Sequence, residues 1–356
     1  MASIELRERN GVKRWYARYR TPDGKQRTKT FDRKRDAQQF LTTVESSKLT
    51  GAFVDPQRQG VTVGEWGDKW LAGKANLAPK TRETYQVMLD SHIRPRWGAV
   101  PLGKVTHVDV QEWISGIDRA PATVRKVHQV FGQMLALAIK DGRLAINPCE
   151  GINLPGVVDA PKKFLTHVQV QQLADACGAH RIVVLFLAYT GLRWGEMAAL
   201  RVGRVDFLRR RALIAESATP VRGAMTLGPT KGRKHREIPL PKFLIEDLSR
   251  LAIGKGPDDF LFTGARGAML RSRTFQRDTF TEAAAAVGIR GLTPHELRHT
   301  AASLAIAAGA DVKVIQVMLG QKASMTLDLY GHLFGDRLDV VADALDTARV
   351  AALATS

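Results

Sequence analysis

A chain of 356 residues is longer than one ordinary domain and has room for two or three. With 44% hydrophobic and 25% charged residues it is not a disordered chain, and its two cysteines, Cys149 and Cys177, exclude a disulfide scaffold or a Cys-rich zinc module and suit a reducing cytosol. A formal net charge of +18 favours a polyanionic partner, most often nucleic acid, over a merely solvated basic surface.

The charge is uneven. Residues 1–60 hold 14 basic and 7 acidic residues, net +7, whereas residues 61–160 hold 12 and 10, net +2. The longest apolar run, 182–189, falls well short of the roughly 20 residues of a membrane helix. Charges in the first ten residues replace the apolar core of a signal peptide. The sequence therefore predicts a protein that is neither secreted nor membrane-spanning, and a cytoplasmic location.

In chain order, residues 12–20 alternate, with Trp15, Ala17 and Tyr19 on one face and Tyr16, Arg18 and Arg20 on the other. Thr21-Pro22-Asp23-Gly24 is a turn signal, and the alternation resumes after it, so a hairpin is predicted. Asp32 is placed to cap a helix carrying Ala37, Phe40, Leu41 and Val44. Basic and aromatic residues interleave on these short strands, Arg14, Arg18 and Arg20 among them, which favours DNA binding over a solubilising cap. Residues 51–60 read as a linker.

Four helices follow, over 63–71, from Pro79 through Ile93, from Thr106 through Ile117, and over 122–139, the last with Val127, Val130, Phe131, Met134, Leu135 and Ala138 at helical spacing. Lys80, Arg82, Arg125 and Lys126 lie near helix starts, where backbone amides also favour phosphate; each taken alone reads better as a solvated charge. Asn147-Pro148 and Leu154-Pro155-Gly156 begin a second linker.

A larger mixed region begins at Lys162. Helices are predicted over 168–176, 182–189, from Gly195, and over 244–251, 273–287, 294–308, 312–319 and 338–353. Strands are predicted over 211–216, 225–227 and 236–240, as one small sheet. The fold class is thus mainly α with small β-sheets: a small α+β region at 1–58, a helical region at 61–157, and a mixed α/β region at 162–356.

The last region carries four segments in order: TGLRWGEM at 190–197, TKGRKHREIPL at 230–240, HELRHT at 295–300, and LGQKASMTLDLYGH at 319–332. Together they resemble the tyrosine recombinases, also called phage-type integrases. The resemblance implies that Arg193 and Arg298 are the catalytic arginines, Lys231 the catalytic lysine and Tyr330 the nucleophile, with His295 a catalytic histidine that can hydrogen-bond the phosphate or shuttle a proton. Glu196, His299 and His332 would support them, and Thr326 lies four residues before the tyrosine. Gln321 stands where the family commonly has His or Trp, and it cannot act as an acid at neutral pH. The likeness extends to 61–157 as a helical, SAM-like core-binding domain and to 1–58 as an arm-binding domain.

The chemistry stands beside the likeness. A tyrosine can store a phosphodiester bond as a phosphotyrosine, so exchange needs no metal or nucleotide. Two guanidiniums can hold the phosphate oxygens bidentately and stay charged throughout. A lysine can protonate the departing 5′-oxygen. Singly, each residue has a plainer reading: Arg193 paired with Glu196, Lys231 one charge of a cluster in which Lys234 is a rival, His295 a helix cap, His299 a packing residue, Tyr330 a core aromatic. The conjunction outweighs these. No HExxH, Cys/His cluster or paired-carboxylate motif is present to suggest a metal nuclease.

The resemblance implies a site-specific recombinase working on double-stranded DNA with core and arm-type attachment sites, as a homo-tetramer, possible accessory partners being a directionality factor and a host DNA-bending protein. The amphipathic stretch with Leu338, Val341, Leu345 and Val350 would dock on a neighbouring subunit. A type IB topoisomerase-like relaxer and a catalytically silent DNA-binding regulator are the alternatives.

Overall fold

The computed structural model describes residues 2–9, 11–21, 24–49, 54, 56–158, 161–230, 232, 235–264, 267–333 and 338–354. It divides into two units, Met1–Asp159 and Ala160–Ser356.

In the first unit, β1 (Ser3–Arg9), β2 (Val12–Arg20) and β3 (Gln26–Phe31) form an antiparallel sheet in that order. The predicted alternation holds: Ala17 and Tyr19 are buried, with Trp15 beside them, against α1 (Lys34–Leu49), which supplies Ala37, Leu41 and Val44. Two points correct the sequence reading. β1 was not foreseen, because Glu5 and Arg7 place charge at alternate positions of a short segment. Asp32 does not cap α1, which begins two residues later; its carboxylate instead lies 3.8 Å from Arg14. Pro22 and Asp23 of the turn lie outside the described residues.

The rest of this unit is helical. α2 (Pro56–Gln59) is a single turn within the predicted linker. α3 (Val63–Ala72) opens with a capping box, in which Thr62 accepts from the Glu65 amide and Glu65 reaches back to the Thr62 amide. α4 (Pro79–Met88) runs through a π-helical turn at Leu89–Ile93 into α5 (Arg94–Trp97). α6 (His107–Ser115) is capped by Thr106, and α7 (Pro121–Lys140) buries the apolar stripe read from the sequence. Trp66, Trp70, Trp97, Phe131 and Met134 are at the centre of one apolar cluster.

The second unit is built around a buried helix. α8 (His167–Ala176) is followed by α9 (Arg181–Thr190), whose residues from Ile182 to Ala188 are all buried. α10 (Trp194–Ala198) begins one residue before the predicted start. The strands form two sheets, not one: β4 (Val205–Asp206), β5 (Arg211–Ile214) and β8 (Arg236–Pro239) make the first, and β6 (Glu216–Val221) and β7 (Ala224–Pro229) a separate hairpin. The predicted strand at 211–216 breaks at Ala215, which is what separates them.

α11 (Lys242–Ala252) follows. The predicted helix over 273–287 is α12 (Ser272–Phe275), a π-helical turn at Gln276–Phe280, and α13 (Thr281–Ala286). α14 (Glu296–Ala307), α15 (Val312–Leu319), the unforeseen α16 (Ala323–Tyr330) and α17 (Leu338–Ala354) complete the chain. No helix among the described residues is long and apolar enough to cross a membrane.

Candidate active site

Several segments of the second unit bring charged side chains together. The first lies between α9 and α10. Gly191 ends α9 in the left-handed region at φ 64°, and a Cβ there would lie 2.5 Å from Leu319, so both conformation and space require glycine. Arg193 then occupies the cap position of α10. Its amide donates to Glu196 Oε2 at 3.0 Å and its Nη1 to Glu196 Oε1 at 3.0 Å.

Glu196 is buried, with 1% of its surface exposed, yet it is ionised. Burial pushes its carboxyl upward, but hydrogen bonding and charge from Arg236, then from Arg193, more than offset this and hold it below the ordinary value of 4.5. Arg236, at the start of β8, grips it bidentately, Nη2 to Oε2 at 2.7 Å and Nη1 to Oε1 at 3.2 Å. Arg236 Nε also donates to the Met318 carbonyl at 3.3 Å. Its guanidinium lies against Gly320, where a Cβ would meet it at 2.8 Å.

Arg236 was missed as a site residue and read only as one charge of the cluster around Lys231. A signal was present. Side chains alternate along a strand, so Arg236 shares the inward side of β8 with buried Ile238, and an inward charge needs a buried partner.

Arg298 sits on α14 and is 4% exposed. Its Nη1 donates to the Gly191 carbonyl at 2.6 Å, and its Nη2 to the Leu319 carbonyl at 2.7 Å and to Gln321 Oε1 at 3.2 Å. Burial first, and then the charge of Arg193, pull its pKa down to about 10, so it stays protonated at neutral pH. The Gln321 amide orientation follows from its neighbour, since an arginine can only donate. Gln321 Nε2 in turn donates to Thr326 Oγ1 at 3.1 Å. Thr326 is buried one helical turn before Tyr330 on α16.

Tyr330 is buried, 1% exposed, against Ala302, Ile306, Ile315 and Leu319. Its hydroxyl lies 2.8 Å from His299 Nδ1. Burial raises its pKa above the ordinary 10, and Arg298 opposes this. His295 begins α14 on the exposed side, its ring 5.6 Å from that of His299 at 83°. His332 is exposed and sets its ring 6.1 Å from Phe164. Lys231, with its neighbours Arg233 and Lys234, lies outside the described residues. No group of three or more His, Cys, Asp or Glu that could hold a metal occurs among the described residues.

The basic residues singled out in the first unit are exposed or half-exposed. Arg18 pairs with Glu5 at 2.7 Å, Lys80 with Glu83 at 2.8 Å, and Lys126 donates to Gln129 at 2.9 Å. Arg82 donates to the Lys74 carbonyl at 3.4 Å and Arg125 to that of Pro155 at 2.8 Å. Arg20 is exposed at the end of β2. Arg125 and Lys126 are the fifth and sixth residues of α7, beyond its free amides.

A buried tyrosine hydroxyl, three guanidiniums and a buried carboxylate are groups able to support phosphoryl transfer to a side chain. Family profiles agree: the phage integrase family matches residues 163–336, its N-terminal SAM-like domain residues 62–117, and its N-terminal domain residues 8–50. The integrase of Mycobacterium phage L5 is 27% identical over 333 residues, covering 89% of each chain. The tyrosine recombinase XerC of Mycobacterium sp. strain JLS is 27% identical over 302 residues, covering 78% of this chain and 95% of its own. In fold, the chain is similar to the Tn1549 transposon integrase in complex with a circular intermediate DNA, with TM-score 0.66, 21% identity, and coverage of 76% and 95%. It is also similar to the lambda integrase tetramer bound to a Holliday junction, with TM-score 0.57, 20% identity, and coverage of 90% and 93%. The chain belongs to the phage integrase family. It is a tyrosine-type site-specific DNA recombinase.

Proposed function

We propose that this recombinase integrates and excises the genome of a temperate phage or related mobile element, with Tyr330 as its nucleophile and Arg193 and Arg298 as its phosphate clamp. One observation carries the residue assignment. Arg298 binds the carbonyls of Gly191 and Leu319 and the side chain of Gln321, so a single guanidinium ties together three of the four sequence segments.

In this reading Tyr330 Oη attacks phosphorus, a 3′-phosphotyrosine forms, and the 5′-oxygen leaves. The clamp stabilises charge that grows on the non-bridging oxygens, and its orientation is fixed beforehand by the surrounding carbonyls and Glu196. Lys231 protonates the 5′-oxygen, and His295 hydrogen-bonds the phosphate. Glu196 and Arg236 hold Arg193 in place. Gln321 acts by positioning: both ends of its amide are engaged by protein, joining Arg298 to the helix of Tyr330. Access of a phosphate to a hydroxyl this buried requires movement of α16, which follows the Gln321 turn.

Residues 1–58 serve as an arm-type DNA-binding domain through Arg14, Arg18 and Arg20. Residues 61–157 bind the core site, with Lys80, Arg82, Arg125 and Lys126 on phosphates, and residues 162–356 catalyse. Four copies assemble on DNA in the bacterial cytoplasm, with α17 docking on a neighbour and a directionality factor and a host DNA-bending protein assisting. Leu345 and Val350 of α17 are exposed, which suits such docking.

The test is covalent trapping. Wild type should accumulate a protein–DNA adduct on a nicked suicide substrate, and Tyr330→Phe should bind the same DNA without forming one. Strand exchange between two sites then separates recombination from relaxation; relaxation without exchange would favour the topoisomerase-like alternative. An adduct with Tyr330→Phe would remove the assignment.

A further inference from the structure

Attack by Tyr330 needs an acceptor for its proton. Among the described residues, the side chain that touches the hydroxyl is His299, at 2.8 Å through Nδ1, with ring centroids 5.7 Å apart. His299 projects from α14 one residue after Arg298, so the helix that holds the phosphate clamp also holds this ring. The two histidines of the HELRHT segment are thereby separated in role: His295 is exposed, whereas His299 meets the tyrosine.

We propose that His299 is the general base of cleavage, accepting the Tyr330 proton at Nδ1 as Oη bonds to phosphorus. The proposal rests on Tyr330 being the nucleophile. As the Oη–P bond forms, the O–H proton passes to Nδ1; as the P–O5′ bond breaks, the 5′-oxygen takes a proton from the general acid. Rejoining reverses both transfers: the 5′-hydroxyl attacks, and the imidazolium returns its proton to the departing Tyr330 oxygen.

The surroundings of His299 explain why the free enzyme does not make a phenolate. Burial, followed by the charges of His295, Lys162 and Arg298, holds its pKa down to about 4, with Glu296 acting the other way. The ring is therefore neutral and ready to accept, but weakly basic. A bound phosphodiester brings negative charge to this cationic cluster and raises the proton affinity of the ring. The DNA itself thus switches on the base at the moment the nucleophile is needed.

The experiment measures single-turnover adduct formation on the nicked suicide substrate. His299→Phe should lose about 10²–10⁴-fold in rate with DNA affinity unchanged, the usual worth of a general base. Replacing Tyr330 with 3,5-difluorotyrosine makes the phenol more acidic and less dependent on a base. The rate gap between the protein with His299 intact and the His299→Phe variant should then narrow at least tenfold. His299→Gln, which keeps an acceptor but has no basic nitrogen, should repeat the loss and the narrowing. A gap that does not narrow, or near-wild-type cleavage by the Gln variant, overturns the proposal in favour of a structural contact. Faster cleavage by His299→Phe overturns it in favour of a clasp on the resting tyrosine. Adduct formation by Tyr330→Phe would instead locate the failure in the nucleophile assignment.

Discussion

The arginines of the N-terminal sheet and those around Tyr330 are the same side chain used in opposite ways. Arg14 and Arg18 lie on an open sheet with 56% and 34% of their side chains exposed and a single carboxylate each for company. Arg236 and Arg298 are 11% and 4% exposed and are held by several acceptors at once. Exposed ion pairs are weak and salt-screened, so an open sheet of this kind gives up its carboxylates to an incoming anion at little cost. Buried, multiply bonded guanidiniums do not reorganise when charge develops in a transition state, and that is what catalysis requires. The first set suits affinity and the second suits rate.

The largest test of that contrast is removal of the sheet. Deleting residues 1–58 should leave cleavage of an isolated core site largely intact, while affinity for DNA carrying both site types falls by about 10²–10⁴-fold as the second attachment is lost. Footprinting that finds no protection beyond that of the truncated protein would break the contrast. Next in size, Arg193→Ala and Arg298→Ala should each slow single-turnover cleavage by about 10²–10³-fold with core-site binding little changed. A variant that cleaves at the wild-type rate marks its arginine as structural.

Stability sharpens the same comparison. Glu196→Ala strands two guanidiniums, one of them nearly buried, and should cost about 3–5 kcal/mol in denaturant unfolding. Glu5→Gln, on the open sheet, should scarcely move the melting temperature although Glu5 also bonds two arginines, Arg7 and Arg18. Equal losses would erase the distinction. The pH dependence follows from the shifts. Glu196 has a lowered pKa in the folded state, so its contribution is complete above 4.5 and is lost as pH falls through the lower folded value. His299 is lowered from 6.5 to about 4, so it also favours the fold above 6.5 and loses that contribution as pH falls toward 4. Melting curves of Glu196→Gln and His299→Phe should each be flatter in the corresponding window. The smallest expected effect is at the cysteines: burial lifts Cys149 to about 12 and Cys177 to about 11, so alkylating reagents should leave cleavage unchanged.

Much of this was legible in sequence, for reasons that differ by region. The helical stripe of α7 and the alternation of β2 are strong periodic signals, and both appear as read. α16 was not read as a helix, because Ala323-Ser324-Met325-Thr326-Leu327-Asp328-Leu329-Tyr330 leaves Met325, Leu327 and Asp328 exposed and shows no clear apolar face. The split of the strands into two sheets depends on β5 pairing with β8 across the intervening β6–β7 hairpin, which local pattern does not encode. Within the site, residue types pointed to Arg193, Arg298 and Tyr330, but not to who touches whom. That His299 meets the Tyr330 hydroxyl, and that Arg236 closes on Glu196 across forty residues, are products of tertiary packing.

In the proposed reaction the DNA strand becomes bonded to Tyr330. The most direct measurement is to trap the adduct, digest it with protease and nuclease, and identify the modified peptide by mass spectrometry. A nucleotide carried on the phenol oxygen of Tyr330 is the predicted result. A nucleotide on any other residue, or a cleaved substrate with no modified peptide, would contradict it.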